Sequence, residues 1–213
     1  MLTGKIWLAL FVVPYLIGFS ALALVRGSIE FLIYAAVMVV LIGLVLLADR
    51  KVRFSRLVLW GLAIWGFLHM AGGTVPIGEV DAEGDPLVLY AYRPAAWFIK
   101  YDQFVHAFGF AFATLASWEA IRSAVHPPIA LRMSAGVALG VGLMGMGLGA
   151  LNEVVEFTAT RLLPKTGVGG YENTGWDLVS NMSGAAAAAC WLVANATNRA
   201  ASHRHSPCGP SDE

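Results

Sequence analysis

The feature that most constrains this chain is a series of long apolar runs separated by short polar breaks. A helix rises 1.5 Å per residue, so about 20 apolar residues are needed to cross a hydrocarbon layer roughly 30 Å thick. Several runs here reach that length, and a soluble core has no need of them. The composition agrees: 58% of the 213 residues are apolar, 13% are charged, and the mean hydropathy is +0.68. Soluble domains carry about a quarter charged residues. The expectation is an all-α, polytopic membrane bundle with membrane lipid as its surroundings.

Six helices are expected, near Ile6–Val25, Glu30–Leu47, Leu57–Met70, Tyr101–Ser123, Leu131–Leu163 and Trp176–Ala196. Residues 1–25 also fit a signal peptide, with Lys5 as its basic region and Ala21-Leu22-Ala23 as a cleavage site. Unbroken apolar character up to Val25 favours a retained first helix. Residues 1–196 form a single transmembrane domain, and 197–213 are expected to be a disordered polar cytoplasmic tail. The tail's His203-Arg204-His205 reads as solvated rather than metal-binding.

Lys and Arg placement orients the helices, because positive loops tend to stay cytoplasmic. With six crossings, nine basic residues (Lys5, Arg50, Lys51, Arg53, Arg56, Arg122, Arg132, Arg199, Arg204) share one side. Five (Arg26, Arg93, Lys100, Arg161, Lys165) lie opposite. Both termini are therefore expected in the cytoplasm. The formal net charge of zero gives no sign of nucleic-acid binding. Cys190 lies in an apolar run and Cys208 in the polar tail, so they are not expected to pair, and the oligomeric state is left open.

Ionisable residues inside spans are costly and normally face a bundle interior or a watery cavity. Three segments carry them. The fourth helix opens Y-D-Q-F-V-H, with Asp102 and His106 at i and i+4 on one face. The fifth ends L-N-E-V-V-E-F, with Glu153 and Glu156 at i and i+3, and the sixth begins W-D-L-V-S-N, with Asp177 and Asn181 at i and i+4. The topology brings all three pairs to one end of the bundle, near the outer face.

On the fifth helix Gly142, Gly145, Gly149, Asn152 and Glu156 fall along one stripe, with Glu153 at its flank. Gly109 and Ala113 follow His106, and Gly184 and Ala185 follow Asn181. Small residues let membrane helices approach closely. Three tightly packed helices with a polar pocket at the outer end are expected. Each pair taken alone has a plain reading as interfacial or helix-capping polarity.

Other signals are weaker. Gly140-Val-Gly142-Leu-Met-Gly145 matches G-x-G-x-x-G but sits inside a span, which excludes a dinucleotide fold. Asn195-Ala-Thr197 is a glycosylation sequon on the expected inner side. Glu119 is expected to pair with Arg122. Tyr171, Glu172 and Asn173 fall in a loop above the pocket, and Arg161 is placed to meet an anionic headgroup or to balance Glu153 and Glu156.

The order D-x-x-x-H, E-x-x-E, D-x-x-x-N-x-x-G-A, carried by Asp102, His106, Glu153, Glu156, Asp177, Asn181, Gly184 and Ala185, resembles the YjdF-like (DUF2238) inner-membrane proteins of bacteria. More loosely it resembles the VanZ-like family, whose members are linked to glycopeptide resistance. It departs from that pattern at Asn152-Glu153 and at the second acid, Glu156. The resemblance implies a multi-pass protein of the inner membrane and brings no reaction with it.

Three functions fit these residues. In an enzyme on a lipid or lipid-linked substrate, Asp102 would orient His106 as general base, with Glu153, Glu156, Asp177 and Asn181 completing the catalytic set. Alternatively His106, Glu153, Glu156 and Asp177 would hold a divalent metal, a donor set suited to zinc, manganese or iron. A transporter would load protons or cations on the same groups for a lipid or small-molecule substrate. A structural subunit would use them only as hydrogen-bonding glue.

Overall fold

A computed structural model describes residues 2–78, 87–125, 131–163, 166 and 169–204. It contains six α-helices: α1 (Leu2–Val25), α2 (Ile29–Val52), α3 (Arg56–Thr74), α4 (Tyr101–Ala124), α5 (Ala135–Leu162) and α6 (Tyr171–Arg204). A single 3-10 turn, Leu89–Ala91, precedes α4. Helices α1 to α5 are each long and apolar enough to cross a membrane. By the same measure α6 is not, because its apolar stretch is diluted by Ser180, Asn181 and Ser183. It nevertheless packs against both α4 and α5 along the bundle.

The helix ends follow local chemistry. Gly27 adopts a φ of 67° in the α1–α2 turn, and Ser28 then caps α2 by accepting the Phe31 N–H. Ser55 and Ser134 cap α3 and α5 by accepting the N–H of Val58 and Val137 at 3.3 Å. The Ser134 cap explains why α5 starts at Ala135 rather than at Leu131: residues 131–134 carry no regular structure, and Ser134 itself is extended. Helix α2 outlasts the expected Leu47 because Arg53, at φ 56°, closes it in the left-handed conformation, with its N–H on Asp49 O.

Helix α6 departs furthest from the sequence reading. It begins at Tyr171, so Tyr171, Glu172 and Asn173 form its first turn rather than a loop. It also runs past Ala196 to Arg204, where a disordered tail was expected to start. Lys165, His205 and residues 206–213 lie outside the described residues.

Burial is arranged as a bilayer demands. Trp7, Leu10, Ile17, Val40, Leu44, Leu139, Leu143 and Phe157 are exposed, whereas Glu30, Asp49, His106, Glu153, Asp177 and Asn181 are buried. Helices α1, α2 and α3 pack on one another, with Phe11, Tyr15, Phe19 and Phe67 in edge and tilted ring contacts. Helices α4, α5 and α6 form a second group, and α3 against α4 is the main joint between the two.

Glycines set the closeness of the second group. A Cβ on Gly184 would overlap the backbone carbonyl of Ala107, so α4 and α6 touch backbone to backbone there. One on Gly145 would strike Thr114, and one on Gly149 the side chain of Asn181. Gly109 differs from the sequence reading: it faces Trp65 of α3, not the other two helices of its group.

The two ends of the bundle are tied separately. At one, Arg26 donates to Thr74 O at 2.9 Å, and Lys100 Nζ donates to Asn173 Oδ1 at 3.0 Å. At the other, Lys5 pairs with the buried Asp49 carboxylate, which also accepts the Phe54 N–H at 2.9 Å. Glu119 lies at this second end too. Its carboxylate accepts the Ser55 N–H at 2.7 Å, a contact to the start of α3 that i,i+3 spacing to Arg122 does not foretell.

Candidate functional site

The end where α4 and α6 begin and α5 finishes holds every candidate residue. His106, one turn into α4, is 4% exposed, and Asp177 and Asn181 on α6 are each 1% exposed. Glu153 on α5 is buried, while Asp102 and Glu156 are partly covered. The imidazole is the hub. His106 Nε2 lies 3.5 Å from Asp102 Oδ1 and 3.8 Å from Glu156 Oε1, and Nδ1 lies 3.4 Å from Glu153 Oε1.

Asn181 assigns the ring's protons. Its Nδ2 donates to Glu153 Oε1 at 3.3 Å, which turns its Oδ1 toward His106 Nδ1 at 3.0 Å. An amide oxygen only accepts, so His106 carries its proton on Nδ1 and donates it there. In the neutral ring the Nε2 lone pair is left facing Asp102 and Glu156.

Asn173 is the member that sequence reasoning left at the rim. Its Nδ2 donates to Asp177 Oδ2 at 2.6 Å and approaches Asp102 Oδ2 at 3.3 Å, while its Oδ1 accepts from Lys100. It stands four residues before Asp177, so the helical spacing was in the sequence; only the early start of α6 was not. Asn152, likewise four residues from Glu156, donates to Glu156 Oε1 at 2.8 Å.

The stripe on α5 is rotated from the expected one. Gly142, Gly145, Gly149 and Glu153 continue a buried line, whereas Asn152 and Glu156 flank it. Glu153 therefore points between α4 and α6, and Glu156 turns toward α2 and α3. There it shares a small cavity of about 20 Å³, room for about one water, with Tyr34, His69 and Asn152 among others. His69 was not expected at the site. Its Nδ1 is 2.7 Å from the hydroxyl of Tyr90, which also reaches His69 O at 3.0 Å. Burial, followed by the nearby Asp102 and Glu156, pushes the Tyr90 hydroxyl well above its ordinary range, so it remains a protonated donor.

Among the described residues, two groupings could hold a metal ion: Asp102 with His106 and Asp177, and His106 with Glu153 and Glu156. In each, one ligand atom per residue lies within 4.8 Å of the others. The four residues His106, Glu153, Glu156 and Asp177 are thus neighbours but fall into two triads that share the histidine. Two carboxylate oxygens, Asp177 Oδ1 and Glu153 Oε2, are buried with no hydrogen-bond partner among the described residues.

Apolar helices of membrane-crossing length around a buried His/carboxylate cluster define a multi-pass membrane protein. The chain belongs to the family described as "Predicted membrane protein (DUF2238)", which matches residues 5–198. No curated protein and no solved structure matches it.

Proposed function

We propose that the protein binds a divalent cation in this cluster and uses it, with acid–base help from the surrounding carboxylates, on a lipid or lipid-linked substrate. One observation carries the reading: Asp177 Oδ1 and Glu153 Oε2 are buried without a hydrogen-bond partner inside a cluster of four carboxylates from three helices. Buried carboxylate oxygens are normally satisfied, and an orphaned one points to a missing donor or ion. Several buried negative charges also cost several kcal/mol each in lost hydration unless a cation offsets them. Among the described residues, Lys100 extends toward the cluster but its hydrogen bond is to Asn173.

The tautomer of His106 favours one triad. With Nδ1–H held by Asn181, Nε2 is the ligating atom, and Asp102 and Asp177 are its partners. A metal-bound histidine commonly donates its other N–H to an oriented acceptor, the part Asn181 takes here. Glu153 holds Asn181 in turn. A cation so placed would polarise a phosphoryl or carbonyl oxygen of the substrate. Glu156, 3.8 Å from Nε2 and turned toward the cavity, is the carboxylate suited to move a proton.

The bias of nine basic residues against five supports placing the site end away from the cytoplasm, in an inner membrane. Metal analysis of the detergent-purified protein and of His106→Ala decides the reading. One ion per chain, lost in the variant, supports it. If the wild type takes up no zinc, manganese or iron while Glu153→Gln and Asp177→Asn fold normally, the cluster is helix-packing glue only.

A further inference from the structure

Tyr34 carries the one polar side chain between Phe31 and Leu47, a stretch of α2 that is otherwise wholly apolar. It is 7% exposed, and its ring is held by edge contacts to Phe31 and His69, at centroid distances of 5.6 and 6.2 Å. Its hydroxyl is buried and has no hydrogen-bond partner among the described residues. A phenol inside a span normally finds a partner, because removing its hydroxyl from water unpaired is costly.

Tyr34 lines the small cavity beside Glu156. Tyr34, His69, Asn152 and Glu156, from three helices, are its polar lining, and Met38 and Trp65 belong to its apolar lining. A cavity must offer about 10–15 Å³ to take in a water, and that water needs about two to four polar partners. With about 20 Å³ and these four side chains, the cavity meets both conditions. Glu156 uses Oε1 for both Asn152, at 2.8 Å, and His106, at 3.8 Å, which leaves Oε2 to accept elsewhere. His69 uses Nδ1 for Tyr90, which leaves its Nε2.

We infer that this cavity is a binding site for a single water, which accepts from the Tyr34 hydroxyl and donates to the Glu156 carboxylate, with His69 and Asn152 at its remaining side. Tyr34 is thereby a positioning residue: it acts on Glu156 through the water, from a helix that supplies no other member of the site. The bridge joins α2 to α5 beside the packing of Phe31 and Tyr34 on Ala159. It forms with or without a bound cation. Where the cation reading above holds, the water is the neighbour with which Glu156 exchanges its proton.

X-ray radiolytic footprinting of the full chain in nanodiscs provides the measurement, because a bound water releases its hydroxyl radical in place and oxidises the buried side chains around it. The chain supplies its own controls. Met38 lines the cavity whereas the buried Met70 does not, and Tyr15, in an aromatic cluster away from the cavity, is 7% exposed like Tyr34. Met38 and Tyr34 are expected to be oxidised severalfold faster than Met70 and Tyr15. In Tyr34→Phe, which removes a single oxygen, Met38 should fall to the level of Met70. Equal rates at Met38 and Met70 in the wild type overturn the site and leave the hydroxyl turned toward Glu30, one turn earlier. An unchanged Met38 rate in Tyr34→Phe overturns the role of the hydroxyl. The pattern is expected to persist in His106→Ala with bound metal assayed in the same samples, so the water site and the cation reading fail separately.

Discussion

His106 Nδ1 lies 3.0 Å from Asn181 Oδ1, and this contact between α4 and α6 keeps the proton on Nδ1 and leaves Nε2 toward Asp102 and Glu156. Asn181→Leu removes the acceptor and frees both the ring and Glu153. Partners of this kind are worth about 10- to 100-fold in metal affinity. Isothermal titration of the metal-depleted protein with zinc or manganese is expected to show a loss in that range, with helix content by circular dichroism unchanged.

Asp177 separates the ion from the fold. Its Oδ1 is buried and unpartnered, so Asp177→Asn relieves a desolvated charge while keeping the volume and one acceptor. In chelator the variant is expected to melt about 2–4 °C above the wild type, equivalent to about 1 kcal/mol. With metal the order reverses, because the variant has lost a ligand and the wild type gains binding energy. A variant that melts lower under both conditions would show that the carboxylate serves the fold alone.

Acid should empty the site. Carboxylate and imidazole ligands bind a cation only when the ligating atom is free of its proton, so ion uptake releases protons and weakens as they accumulate. Occupancy is expected to fall progressively between about pH 8 and pH 5, the range in which histidine ordinarily titrates. Equilibrium dialysis against a fixed free-metal concentration follows it. Constant occupancy across the range rules out His106 as a ligand.

Gly184 and Gly147 form a matched pair. A methyl on Gly184 meets the backbone carbonyl of Ala107, which cannot step aside without moving a helix, whereas Gly147 has open space around its Cβ position. Gly184→Ala is expected to destabilise by about 1–3 kcal/mol, as overpacking generally does. Gly147→Ala should be neutral or stabilising by up to about 1 kcal/mol, since alanine is the better helix former. Thermal unfolding in detergent compares them.

Much of this was legible in the chain because the bilayer imposes a length and a polarity that sequence reports directly. The helices fall within a few residues of expectation, apart from the end of α2 and the two ends of α6, and the D-x-x-x-H, E-x-x-E and D-x-x-x-N pairs do meet around one imidazole. What was hidden depends on rotation and contact. Whether Glu153 or Glu156 faces the core turns on the phase of α5 against α6, which Gly149 fixes by seating Asn181. Asn173 was placed only in a loop above the pocket, and not among the groups that bond Asp102 and Asp177, because Gly175 and the neighbouring polar residues read as loop. His69 sits on a helix with no other ionisable residue in its apolar interior, and nothing in spacing links it to Glu156; only tertiary packing does.

The backbone contact between Gly184 and Ala107 has a mechanical consequence. Where two helices meet carbonyl against Cα there is no side-chain cushion to deform, so α4 and α6 behave as one rigid strut. On the opposite side α2 and α5 meet only through side chains, Phe31 and Tyr34 against Ala159, with a cavity of about 20 Å³ beside Glu156, which makes that wall the compliant one. His106 and Asp177 stand on the strut, and Glu156 stands at the edge of the soft wall. Any breathing of the bundle therefore moves the outlying carboxylate relative to a histidine–aspartate pair that stays still.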